Sequence, residues 1–118
     1  MANPNIVNVA TINGKTDVFA LTTTETNLVT ATANTVFKIN SILVSNIDGT
    51  NAADVTIKYN DGSNSRAIAS TISVPADATL AVVDKNSSFY LEETEIIKGT
   101  ASANSDLECL ISYEIISD

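Results

Sequence analysis

The chain has 118 residues, six of them basic and fourteen acidic, for a net charge of −8. That length suits one domain. The charge argues against nucleic acid, which is held through Lys and Arg on phosphates, and against an anionic membrane surface. With no histidine and one cysteine, the chain lacks the residues for Ser–His–Asp or Cys–His catalysis, a His-ligated zinc site or an intrachain disulfide.

The dominant apolar period is two, which marks strands. Thr, Asn and Ser supply 40 of the 118 residues and Gln none, a composition that favours pleated surfaces over helices. Residues 1–118 read as a single β-sandwich domain, with 1–12 a candidate N-terminal arm. Met1-Ala2-Asn3-Pro4-Asn5 shows neither the basic nor the apolar part of a secretion signal, so synthesis is expected in the cytoplasm. No apolar run approaches the roughly 20 residues needed to span a bilayer.

In chain order, 6–12 reads as a strand, Asn13-Gly14 as a tight turn and 16–21 as its partner. A Thr-rich loop at 22–26 precedes a short strand at 27–31 and a turn at Ala33-Asn34. The strand 36–46 carries Phe37, Ile39 and Leu43 on one face and Ile42 and Val44 on the other, so a central position is expected. Asp48-Gly49 reads as hairpin chemistry, pairing this strand with 53–60, where odd positions are apolar and even positions polar. Asp61-Gly62-Ser63-Asn64 leads to 65–74, with Ile68, Ile72 and Val74 on one face. Pro75 stops the ladder, since it has no N–H to donate. Strands follow at 79–84, 88–91 and 95–100, then a loop at 101–106. The last strand, 107–116, alternates Leu107, Cys109, Ile111, Tyr113 and Ile115. About nine to ten short strands predict an all-β fold: an antiparallel sandwich, jelly-roll-like or a small barrel. The expected core includes Ile57, Tyr59, Ile72, Val74, Leu80, Val82, Ile111 and Tyr113.

Candidate chemistry is sparse. Gly14, Gly49, Gly62 and Gly99 are too scattered for a phosphate loop. Glu92, Glu93 and Glu95 cluster in one short stretch, which predicts a solvated turn rather than a paired-carboxylate cleft. Asp48, Asn51 and Asp54, and separately Asp61, Ser63 and Asn64, hold the oxygen ligands calcium takes, but neither matches a twelve-residue calcium loop, and both read first as turns. Cys109 reads as a small buried hydrophobe. One of Phe89 and Tyr90 should face outward, a thin basis for stacking on a sugar. Asn86-Ser87-Ser88 matches a glycosylation pattern and is expected to be a coincidence. No residue is assigned to catalysis, cofactor or metal, and an enzyme is not expected.

Several stretches resemble small virion structural proteins of tailed bacteriophages, especially decoration-type proteins from phages of marine bacteria and cyanobacteria. They are Asn46-Ile47-Asp48-Gly49-Thr50-Asn51-Ala52-Ala53-Asp54-Val55-Thr56, Val74-Pro75-Ala76-Asp77-Ala78-Thr79-Leu80, Asp84-Lys85, Phe89-Tyr90-Leu91-Glu92-Glu93 and Thr100-Ala101-Ser102-Ala103-Asn104-Ser105-Asp106-Leu107. The likeness spans 36–116; upstream, only Ile12-Asn13-Gly14-Lys15-Thr16 shares it. It implies a non-enzymatic virion part, first of all a capsid decoration or cement protein docked on the major capsid protein. A homo-oligomer is then expected, a trimer on shell three-folds being the natural guess. In this reading, residues 2–12 add a strand to a neighbour's sheet edge. A tail, neck or fibre component is the alternative, and a free-standing carbohydrate-binding module the third.

Overall fold

The computed structural model describes residues 3–117. Nine strands run in chain order: β1 Thr11–Ala20, β2 Thr26–Thr30, β3 Thr35–Asn46, β4 Ala53–Asn60, β5 Ser65–Val74, β6 Thr79–Val83, β7 Phe89–Leu91, β8 Ile96–Ala101 and β9 Leu107–Ser117. They form the two antiparallel sheets of a sandwich. The front sheet has the order β1-β9-β3-β6, with β7 also on β3; the back sheet has the order β2-β8-β4-β5. The alternating patterns of β4 and β9 account for this directly: Val55, Ile57, Ile111 and Tyr113 point between the sheets and are at most 4% exposed.

Three local readings are corrected. Asn13-Gly14 is no turn: β1 runs straight through it, and residues 6–10 lie outside any strand. β3 and β4 are not a hairpin. β3 pairs with β6, β7 and β9, and β4 with β5 and β8, so the Asp48-Gly49 segment crosses between sheets. Asn46 drives the crossing. Its Nδ2 donates to Val74 O (2.9 Å) and Asn51 O (3.0 Å), and its Oδ1 accepts from Asp48 N (2.9 Å). This side chain is 3% exposed, and with all three bonds made, burying it carries no unmet polar cost.

The third correction concerns the phase of β3. Its pairing with β9 shifts between Ile39 and Ser41. The extra residue there puts Phe37, Ile39, Ile42 and Val44 on one buried face and turns Leu43 outward. The same physics moves the expected core elsewhere. β5 shifts register twice against β4 and carries Thr71 at φ 51°, leaving Ile72 40% exposed on an edge strand. β6 shifts against β3 between Ile42 and Leu43, so Val83 is buried while Leu80 and Val82 are only partly covered, as is Tyr59.

The core is continuous across the two sheets and includes Leu21, Val29, Ile39, Ile42, Val44, Leu91, Ile97 and Leu107. Phe37 and Tyr113 stack at 5.1 Å. Gly99 on β8 sits where a Cβ would lie 2.7 Å from Leu28 Cδ1 and 3.2 Å from Leu21 Cδ2, so the absence of a side chain lets β2 and its preceding loop close onto the sheet.

Candidate docking face

The register fixes what each outer face shows. On the front sheet the outward residues line up in rows across β1, β9 and β3. Val18 lies opposite Leu110, Leu110 opposite Leu43 and Leu43 opposite Ala81. Val18 is 71% exposed; Leu110 and Leu43 are half-buried. The next row is Ala20, Glu108, Ser45 and Thr79. A concavity of about 360 Å³ opens here, lined by Val18, Phe19, Ala20, Ser45, Glu108 and Leu110 among others. The row on the other side is hydroxylic: Thr16, Ser112 and Ser41.

At the far end of the same face, Ile12, Ile116 and Val36 form a further apolar row. Val36 and Ile116 are buried, and the chain before β1 folds back at this end. Pro4 is itself buried and lines one hollow with Ile6, Val36 and Tyr90. Asn3 ties this segment to the β7–β8 turn: its Nδ2 donates to Glu92 Oε1 (2.7 Å), and its Oδ1 accepts from Glu93 N (3.1 Å). Of the candidate arm, Asn3, Pro4 and Ile6 thus lie against the body of their own chain and Ala10 N donates to Ser117 O (3.1 Å), while Val7 stays 91% exposed; Thr11 and Ile12 belong to β1, and Met1 and Ala2 lie outside the described residues.

The back sheet is different. Its outward positions include Thr56, Lys58, Lys98 and Thr100, in register between β4 and β8. Glu25 bridges Lys58 (3.4 Å) and Lys98 (4.0 Å). The back face is therefore largely polar, with Lys58 and Lys98 both bridged by Glu25, while the front face sets an open apolar row beside polar ones, among them Glu114 and Lys38 opposite each other. A solvated sheet face is ordinarily polar, so the Val18–Leu110–Leu43–Ala81 row departs from the rule.

The sequence-predicted sites resolve into turns. Asp48 Oδ1 accepts from the N–H groups of Thr50 (2.8 Å) and Asn51 (3.2 Å), and these bonds hold its carboxyl below the usual range. Asp54 lies on β4, opposite Ser73. Asp61 Oδ1 accepts from Ser63 N (2.9 Å) and Asn64 N (2.7 Å), with the same effect, and Gly62 takes the φ of +98° that the turn requires. Glu92, Glu93 and Glu95 diverge: Glu92 binds Asn3, Glu93 accepts from Asn34 N, and Glu95 accepts from Tyr59 Oη and Glu92 N. Among the described residues no group of three metal-ligating side chains comes together. Tyr90 is the outward member of its pair, 43% exposed. Asn86 and Ser87 close an exposed turn on Asp84. Cys109 is buried, which pushes its thiol up to about 12.

Leu110 and Val18 are surface residues that sequence reasoning passed over, and Leu43 is one it placed on the face of Phe37 and Ile39. The signal was present in β9, where Leu110 interrupts the alternation between Cys109 and Ile111, and in β3, where both faces carry apolar groups. The bulge at Asn40 hid which of the β3 residues belonged outside.

No protein-family model matches the chain, and no curated protein matches it in sequence. Solved structures do share its fold. A chain from Bacillus endospore appendages, described as disulfide-linked pili, aligns at a TM-score of 0.54 with 13% identity, over 92% of this chain and 88% of that one. A chain from the acid-stable capsid of Helicobacter pylori bacteriophage KHP30 aligns at 0.53 with 7% identity, over 92% and 89%. At such identities the likeness is one of fold, and the chain is an all-β sandwich of the kind found in both.

Proposed function

We propose that this protein is a non-enzymatic structural subunit of a phage particle, a capsid decoration or cement protein that docks the outer face of its front sheet on the shell. The observation that carries this is the open apolar Val18–Leu110–Leu43–Ala81 row on the front face, set against a back face where Glu25 bridges Lys58 and Lys98. The fold shared with a phage capsid chain supports it. The fold shared with an appendage chain supports the broader class of assembly subunits. A disulfide-linked fibre is disfavoured here, because the sole cysteine is buried between the sheets. With only six Lys and Arg, little side-chain entropy is lost when a neighbour packs against the surface.

Quantitative mass spectrometry of particles from the source culture tests the reading. A simple ratio to the major shell subunit supports decoration, and a handful of copies moves the protein to the neck, tail or fibres. Absence from particles overturns the virion reading. Leu43→Asp, at an outward half-buried position, should abolish binding to shells while leaving the fold intact. Unchanged binding would remove the front face from the argument.

A further inference from the structure

The sheets of this sandwich end in edges, and all but one are guarded. An exposed strand edge is a row of unpaired N–H and C=O groups that invites another strand, and proteins blunt it with shortness, bulges or charge. β2 has five residues and a register shift between Asn27 and Val29. β5 shifts twice and carries Thr71 at positive φ. The far edge of the front sheet is divided between β6, itself shifted, and the three residues of β7. β1 is unlike them. It has ten residues, no proline, and an unbroken register from Thr11 opposite Ser117 to Ala20 opposite Glu108.

β1 also carries exposed apolar groups, Ile12 (55%) and Val18 (71%), and two charges on the opposite face of the strand, Lys15 and Asp17, 3.7 Å apart. A charge on an edge strand usually discourages pairing. Here the two charges act as a selector. In an antiparallel pair, residues directly opposite share a face and interact. When β1 meets β1 of a second copy with Thr16 on the two-fold axis, each Lys15 lies opposite the other copy's Asp17. Sliding by one step that keeps the faces matched puts Lys15 against Lys15; the other direction puts Asp17 against Asp17. Only the Thr16-centred register joins unlike charges, and the like-charge registers are penalised. The same register sets Val18 opposite Gly14, where no atom lies within 4 Å of a would-be Cβ, and Ile12 opposite Ala20.

We infer that β1 is a self-pairing edge: two copies join their front sheets into one continuous sheet through β1, about a two-fold axis at Thr16. The occupant is a second copy of this chain, chosen by its own charge complementarity. This contact goes beyond shell docking and stands without it. It is also distinct from the trimer expected from sequence, since a two-fold edge pair closes at two. Ten residues of edge, roughly 33 Å long and about one sheet thick, bury roughly 300–350 Å² per partner, well below the roughly 800 Å² of stable complexes. The pair is therefore weak in dilute solution and forms where copies are concentrated or held by a common support.

Cross-linking captures such a contact. Thr16→Cys in the full chain, held near millimolar concentration under mild oxidation, should give a disulfide-linked dimer through the introduced thiols, because cross-strand Cα separations in an antiparallel pair lie within disulfide reach. Its rate should exceed that of Lys15→Cys and of the turn control Ser63→Cys by about tenfold or more, and adding Lys15→Asp to Thr16→Cys should slow it about tenfold. Circular dichroism confirms that each variant keeps its strands. Cross-linking of Thr16→Cys no faster than the Ser63→Cys control overturns the inference, as does insensitivity to Lys15→Asp. Because the assay uses isolated protein, failure here leaves shell docking standing, and loss of shell docking leaves this contact standing.

Discussion

Replacing Ile111 by Ala tests the sandwich at its centre. Ile111 lies mid-strand in β9, flanked by Asp17 on β1 and Ile42 on β3, and is fully buried. Three aliphatic carbons are lost, a transfer cost of about 2.4 kcal/mol at about 0.8 kcal/mol each. Hydrogen-bonded strands on both sides restrict collapse around the void, which places the residual cavity cost in the upper part of the observed range and the total near 4 kcal/mol. At about 2.1 cal/mol/K per residue, a chain of 118 residues has an unfolding entropy near 0.25 kcal/mol/K, so Tm should fall by about 16 °C. The neighbouring Leu110→Ala removes the same number of carbons from the half-buried outer face and should cost about 1 kcal/mol. Urea titrations followed by circular dichroism measure both, with an unchanged slope showing that the unfolding reaction is the same. Equal losses for the two variants, or a loss under 1 kcal/mol for Ile111→Ala, would refute the assignment of inner and outer faces.

Asn46→Ala should destabilise by about 1–3 kcal/mol, because it strands the Val74 and Asn51 carbonyls and the Asp48 N–H; chemical denaturation measures it, and a neutral result would mean the crossing is held by packing alone. Cys109 should resist thiol reagents in the native protein and react only on unfolding, and prompt native labelling would contradict its burial. Stability should fall on the alkaline side. Burial raises the Cys109 thiol from 9.0 to about 12, so its contribution is complete below about pH 9 and is lost as pH climbs toward 12. Burial, then hydrogen bonding to Glu95 and Asp17, raises Tyr59 and Tyr113 in the same direction. Thermal melts from pH 8 to 11 that stay flat would refute this. On the acid side, Asp48 and Asp61 have lowered pKa values; the small stability they add is present above their ordinary value and fades as pH falls below it, which Asp61→Asn should flatten in acid melts.

The strands of this protein were legible wherever apolar residues kept an unbroken period of two, as in β4 and β9, and where Asp61-Gly62 closed a local hairpin. Pairing was less legible. Asp48-Gly49 carries the same chemistry as a hairpin turn, yet the side chain of Asn46, bonded to a carbonyl 28 residues away, sends the chain to the other sheet. Nothing local distinguishes the two outcomes. Bulges hid the rest: one extra residue in β3 reverses the faces of Leu43 and Ile42, and those in β5 leave Ile72 in solvent. The docking row was visible only as an excess of apolar groups on two strands, because its members come from β1, β9, β3 and β6 and meet only through tertiary register.

The position of β9 has a consequence for synthesis. It is the last strand in chain order, yet it lies between β1 and β3 and holds both. β1 emerges from the ribosome with its partner in the front sheet some ninety residues behind it, an interval of roughly 5–20 s at ordinary elongation rates. Throughout that time β1 has two open edges, as do its copies on neighbouring ribosomes of the same message. The front sheet therefore closes only once β9 has emerged, and a chain arrested before Leu107 presents β1 unpaired to chaperones and proteases, although the back sheet and the β3 pairings with β6 and β7 do not need β9.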